Sequence, residues 1–286
     1  QTCALPICTE QASVDAVLRT VDPGAQRLPR TTSAPTSAVP ASLTIATNWP
    51  GGLFYARVAT LQTQDLDAAR ADLGRGLTTN TTGVILDLRG AGGTDFTALD
   101  SLASLFVPDG EDLYDLRVAD TNVVMRIQSK RPAPMPALPP VILVTDQKTR
   151  GTSEALAAVL AGRRGFMVIG TPTAGDAAHR ERIRLSDTED VLVATSWVVP
   201  ASGRPFRGLG VLPDLVVATP GTPMAGAVST SAVPDDVVAP HSSRPPREQE
   251  QQAALLRKLI GGDVPLQRAA DILLGLWALH PPAASS

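Results

Sequence analysis

Cysteine is nearly missing from this sequence. The two that occur, Cys3 and Cys8, fall at its very start and are read neither as a disulfide nor as a metal pair. Lysine is almost as scarce, at positions 130, 148 and 258 only. The basic charge is therefore mostly arginine, which with abundant alanine, proline and glycine reflects a GC-rich genome rather than a ligand. Positive charge is not in excess: the formal net charge is −3, which argues against nucleic acid or an anionic membrane as partner. No apolar run reaches the roughly 18 residues that a membrane-spanning helix needs. His241 and His280 lie in proline-rich or terminal stretches, and no cluster has metal-ligand spacing. Neither a metal nor another cofactor is expected. Apolar residues, by contrast, make up 43% of the 286 positions, enough for one main folded domain with appendages.

The chain opens without methionine. Gln1-Thr-Cys-Ala-Leu-Pro-Ile7 resembles the translation of a common sequencing adapter, so residues 1–7 are read as an assembly artefact and set aside. Residues 8–28 are expected to be a helical segment, since Val14, Val17, Leu18 and Val21 recur at helical spacing before Asp22-Pro23-Gly24 stops the helix. Residues 29–46 read as a linker rich in Pro, Ser, Thr and Ala. From 47 to 217 the pattern is α/β. Strands are expected at 53–61, 83–89, 141–145 and 166–169, and helices at 63–77, 97–106 and 153–160. Residues 182–185 and 191–199 read as an antiparallel pair across a polar turn. Residues 218–246 form a second linker. Residues 247–286 carry two helices, 247–260 and 265–279, with Asp263 placed to cap the second. Strands alternating with helices predict a layered α/β domain.

Three motifs carry a family resemblance. Gly83-Val-Ile-Leu-Asp-Leu-Arg-Gly-Ala-Gly-Gly93 is a strand running into a glycine turn. Pro200-Ala-Ser-Gly-Arg204 is followed by Gly208-Leu-Gly-Val-Leu-Pro-Asp214, and Lys148-Thr-Arg-Gly-Thr-Ser-Glu154 opens a helix. Together these resemble the C-terminal processing (tail-specific) serine peptidases, with matching pieces over residues 12–279. The resemblance implies a crotonase/Clp-protease-like layered fold with a mixed sheet, followed by C-terminal helices. It also implies a site at the strand ends, and residence in a bacterial periplasm or outside the cell. The family's turn reads Asp-Leu-Arg-x-Asn-x-Gly-Gly, so its Asn falls on Gly90 or Ala91. Gly92, Gly93 and Thr152 are the expected oxyanion or peptide-binding positions, because glycine lets backbone N–H groups approach a scissile carbonyl. A peptide-capturing PDZ domain usually stands where this chain has only residues 29–43.

The same resemblance places catalytic groups on residues that cannot supply them. Aligned on Ser153-Glu154, the nucleophilic serine falls on Gly151. Aligned on Gly170, Thr173 and Gly175, the general-base lysine falls on Asp176, at the spacing that the family keeps. The assisting glutamine falls on Arg180. A Ser–Lys dyad needs a hydroxyl and a neutral amine; glycine offers no nucleophile, and a carboxylate would oppose a developing oxyanion. Asp176 and Arg180 are expected to form an exposed ion pair, and Ser153 to cap the helix that it opens.

Two functional readings follow. In the first, the chain has lost catalysis and keeps its cleft to bind a peptide or an unfolded protein segment, or to scaffold, as an oligomer or alone. There Arg150 and Arg180 favour an anion and Asp176 opposes one, leaving the sign of the pocket open. In the alternative, it is an active serine-type endopeptidase whose nucleophile has moved, to Ser153, with His179 and Asp176 as candidate partners. Restoring Ser at 151 and Lys at 176 is a secondary test, in which gained cleavage would confirm the alignment.

Overall fold

Apolar runs too short for helices and too continuous for half-exposed strands become the middle of a sheet covered on both faces. In the computed structural model, which describes residues 14–18, 20, 22, 24–29, 43–78, 80–118, 124–130, 138–217 and 247–279, β3 (Leu53–Val58), β5 (Gly83–Asp87), β9 (Val141–Thr145) and β10 (Phe166–Gly170) lie parallel. The strand β2 (Leu43–Trp49) adds antiparallel at one edge and β13 (Leu215–Val216) parallel at the other, giving a mixed six-stranded sheet. The layered α/β fold with a mixed sheet expected from the sequence is present.

Alternation along each strand divides the core. Phe54, Ala56 and Val58 face one side with Val84, Leu86, Val141, Leu143 and Val168. That side is covered by α1 (Leu66–Gly76), α2 (Phe96–Phe106) and α3 (Gly151–Leu160), whose buried residues include Leu73, Leu99, Leu102 and Leu156. Leu53, Tyr55, Ile85, Ile142, Val144 and Ile169 face the other. There they meet Leu256 of α4 (Arg247–Ile260) and Leu266, Ala269, Ala270 and Leu273 of α5 (Val264–Leu279). With a residue on both sides of every turn of the pleat buried, each strand reads as unbroken apolar sequence.

A second sheet stands beside the first. The long strand β12 (Glu189–Pro200) pairs antiparallel with β11 (Ala178–Arg184), as the polar turn at 186–190 predicts. It also pairs with β7 (Asp112–Val118), which continues to β8 (Val124–Gln128). Finally it takes up β1 (Gln26–Pro29), paired from Gln26↔Leu192 to Pro29↔Glu189. Of these partners only β11 is legible in the sequence. β1 lies in the segment read as helical; helical backbone occupies residues 14–18, and the chain after Asp22 turns into a strand because β12 offers an unpaired edge. β8 is largely exposed, so its side chains carry little period-two signal. Two small strands, β4 (Thr60–Leu61) and β6 (Gly92–Gly93), pair in parallel next to the start of α3. Cys3, Cys8, His241 and His280 lie outside the described residues.

Candidate functional site

The loop between β9 and α3 is fastened to the glycine turn after β5. Asp146 Oδ1 accepts the amides of Gly90 (2.9 Å), Lys148 (3.0 Å) and Thr149 (3.0 Å). Thr149 Oγ1 donates to the Leu88 carbonyl at 2.8 Å, and the Arg150 amide to the Ala91 carbonyl at 3.0 Å. These bonds set Gly92 and Gly93 against the first turn of α3. That helix starts at Gly151 with Arg150 as its N-cap, two residues earlier than the sequence suggests. Ser153 is therefore its third residue and not its cap.

Gly151 adopts φ +61°, a left-handed conformation that favours glycine. A Cβ built there would come well within 3.0 Å of the Gly93 carbonyl oxygen, closer than real Cβ contacts run. The space where a side chain at 151 would begin is thus occupied by a backbone acceptor. The Gly92 amide is also engaged, donating to the Ala59 carbonyl at 3.1 Å. Ser153 is fully buried, and its hydroxyl donates to the Gly92 carbonyl at 2.5 Å. Thr152 is equally buried, and its Oγ1 has no hydrogen-bond partner.

Positions 151 and 176 do meet, through the backbone: the Gly151 amide donates to the Asp176 carbonyl at 3.2 Å. What holds them is Glu154, whose carboxylate is buried in the first turn of α3. It accepts from Thr173 Oγ1, from the Gly175 amide (2.5 Å) and from the Asp176 amide (2.7 Å). Burial pushes its pKa up, and those three donors only partly offset the shift. The Gly208–Asp214 motif wraps the same loop. The Gly208 amide donates to the Gly175 carbonyl (2.8 Å), and the Val211 amide to Thr173 Oγ1 (2.8 Å). Asp214 ties β10 down through the Val168 amide (2.8 Å).

The Asp176 side chain is taken by Arg180, which also reaches Asp22 at 3.4 Å. The pair expected to be exposed is so at Asp176, whose side chain is 39% exposed, but it is also part of a three-membered network whose other two side chains, Arg180 (13%) and Asp22 (6%), are mostly covered. The reason is the pairing of β1 with β12, which brings Asp22 over β11. Burial would raise the Asp22 pKa, but the Ala194 amide (2.9 Å), the Gly24 amide (3.0 Å) and Arg180 outweigh it and hold the carboxyl below its ordinary value. Burial likewise works against the charged Arg180, and Asp176 and Asp22 overcome it, so its pKa is raised. His179 goes elsewhere: its Nδ1 lies 3.4 Å from Thr195 Oγ1 and its ring packs on Phe96. Ser153, His179 and Asp176 thus have separate partners.

The cleft beside these groups has a volume of about 650 Å³ and is lined by Asp22, Arg150, Asp176, Arg180, Trp197 and Arg207 among others. Arg207 stacks its guanidinium 3.7 Å from the centre of the Trp197 ring. Among the described residues, no group of three or more His, Cys, Asp or Glu is placed to hold a metal ion.

The sequence of residues 53–217, more than half of the chain, matches the model of peptidase family S41. The chain belongs to peptidase family S41. Curated relatives include a carboxy-terminal-processing protease of Bartonella bacilliformis, 29% identical over 157 residues, covering 54% of this chain and 36% of that protein. A chloroplastic C-terminal processing peptidase of Tetradesmus obliquus is 26% identical over 163 residues, covering 57% of this chain and 34% of its own. The chain thus spans about a third of the length of these relatives. Among solved structures, the photosystem II D1 C-terminal processing protease superposes with a TM-score of 0.50 at 22% identity, over 68% of this chain and 48% of that one. A lipoprotein from Streptococcus agalactiae does so with a TM-score of 0.51 at 20% identity, over 60% and 64%.

For this S41 member, the motif positions chosen from sequence, Gly92, Gly93, Gly151, Thr152, Asp176 and Arg180, lie close to one another, and of them Asp176 and Arg180 line the cleft. Asp22, Trp197 and Arg207 were missed as parts of it. Asp22 gave only a helix-stop signal, and nothing local distinguishes Trp197 or Arg207 from surface residues.

Proposed function

We propose that this chain is a non-catalytic member of the S41 family that retains the peptidase cleft as a binding surface for a peptide or an unfolded protein segment. The observation that carries this reading is Gly151: it has no hydroxyl, and its left-handed backbone and the Gly93 carbonyl leave no room for a side chain. Asp176 cannot stand in for a neutral amine, and its carboxylate is neutralised by Arg180. The relocated nucleophile finds little support, since the Ser153 hydroxyl is buried and already donates to a carbonyl. By the same kinship, the protein works in the periplasm or outside the cell; among the described residues no helix is long and apolar enough to cross a membrane.

The test is cleavage of a peptide library and of an unfolded protein by the purified chain, read by mass spectrometry, with Ser153→Ala in parallel. No product from either protein is expected. Cleavage by the parent that vanishes in Ser153→Ala would show a displaced active site and end the non-catalytic reading.

A further inference from the structure

The cleft contains three arginines and two aspartates in a chain whose formal net charge is −3. Their pairing decides the sign of the pocket. Arg180 is bound by both Asp176 and Asp22, and among the described residues neither carboxylate is within ion-pair distance of the other two arginines. Arg150 and Arg207 are exposed, and among the described residues neither has a carboxylate partner. Arg207 is not loose: stacking on Trp197 fixes the plane of its guanidinium and leaves its N–H edge free. Arg150 sits at the N-cap of α3, where the helix dipole adds further positive potential. A guanidinium fork matches a carboxylate with two parallel hydrogen bonds, and 650 Å³ in an open groove holds a few residues rather than a lone small ion.

We infer that the cleft selects acidic peptide segments, with side-chain carboxylates of Asp or Glu seated on Arg150 and Arg207 beside Trp197. This rests on the binding reading above and names its ligand class.

The test uses the full chain and three fluorescent ten-residue peptides, followed by anisotropy. One is acidic with an amidated C-terminus, one is neutral with a free C-terminal carboxylate, and one is neutral and amidated. The acidic amidated peptide is expected to bind. Its affinity should fall several-fold when salt is raised from about 50 to 500 mM, because the charges are exposed. It should fall at least tenfold in Arg150→Glu/Arg207→Glu, whose two sites are on the surface and whose folding is checked by circular dichroism. Equal binding of all three peptides, or unchanged affinity in the folded double variant, would overturn the inference. So would binding of the free-carboxylate neutral peptide as tight as the acidic one, since the site would then read a chain end. Cleavage of the acidic peptide, seen by mass spectrometry in the same samples, would defeat the non-catalytic reading and leave the acidic preference standing.

Discussion

Gly151 shows how one residue can close off a chemistry twice, first by lacking the reactive atom and then by allowing a backbone that excludes it. A serine there would have to hold a left-handed conformation, at about 1–3 kcal/mol, and would also have to displace the Gly93 carbonyl. Gly151→Ser is therefore expected to lower the thermal midpoint by several degrees, given about 2–4 °C per kcal/mol for chains of this size. The Gly151→Ser/Asp176→Lys pair is expected to gain no cleavage. A melting curve for Gly151→Ser that superposes on the parent would mean that the glycine turn yields easily, and the restored pair would then be a fair test of activity. Lysine at 176 adds a second difficulty, because it puts a cation beside Arg180 where a carboxylate now stands.

Helix α5 illustrates how an element outside the peptidase motifs is joined to them. Arg89, from the Asp-Leu-Arg motif after β5, bonds Asp87 through Nε (2.9 Å) and Nη2 (2.7 Å). It also bonds Asp263 through Nη1 (3.0 Å) and Nη2 (2.8 Å). Burial disfavours its charge, but these two carboxylates more than compensate and raise its pKa. Asp263 in turn caps α5 by accepting the Leu266 amide at 3.2 Å. Asp263→Ala removes both roles, about 1 kcal/mol for the cap and about 1.5–3 kcal/mol for the charge-assisted bonds. Faster amide exchange is expected through residues 264–279, with the fully buried β5 amides little changed. Unaltered exchange in α5 would mean that its apolar face, with Leu266, Ala269, Ala270 and Leu273, holds it unaided.

Two buried carboxylates beside the cleft contribute to the stability of the folded molecule against pH with opposite signs. Asp22 sits below its ordinary 3.8, so its stabilising contribution is present above that value and is lost as pH falls through the lower folded one. Glu154 sits above its ordinary 4.5, so its contribution is full below that value and is lost as pH rises through the higher folded one. Glu154→Gln cannot ionise, and it sets an amide against the donors from Thr173, Gly175 and Asp176. It is expected to be less stable overall, with the loss largest near pH 4 and smaller as pH rises and the parent carboxyl becomes charged. Urea unfolding of both proteins between pH 3 and 8 measures this. A difference that stays constant across the range would show that Glu154 does not titrate with folding.

Much of the architecture could be read from residue order alone. The buried strands at 53–58, 83–87, 141–145 and 166–170 announce themselves because both faces are covered, and the C-terminal helices because glycines and Asp263 bound them. The glycine-turn and Gly208–Asp214 motifs pointed to the candidate site, since close backbone approaches demand particular residues at fixed spacings. The second sheet showed only in its β11–β12 pair: β1, β7 and β8 gain their stability from the edges of β12 and from each other, and such pairing leaves little local trace. For the same reason the charge of the cleft stayed open until Asp22 was seen to share Arg180 with Asp176. Which residues occupy positions 151 and 176 is written in the chain. That the Gly93 carbonyl fills the room beside Gly151, and that Arg150 and Arg207 are left without carboxylate partners among the described residues, depends on groups brought together from separate strands, a helix start and loops.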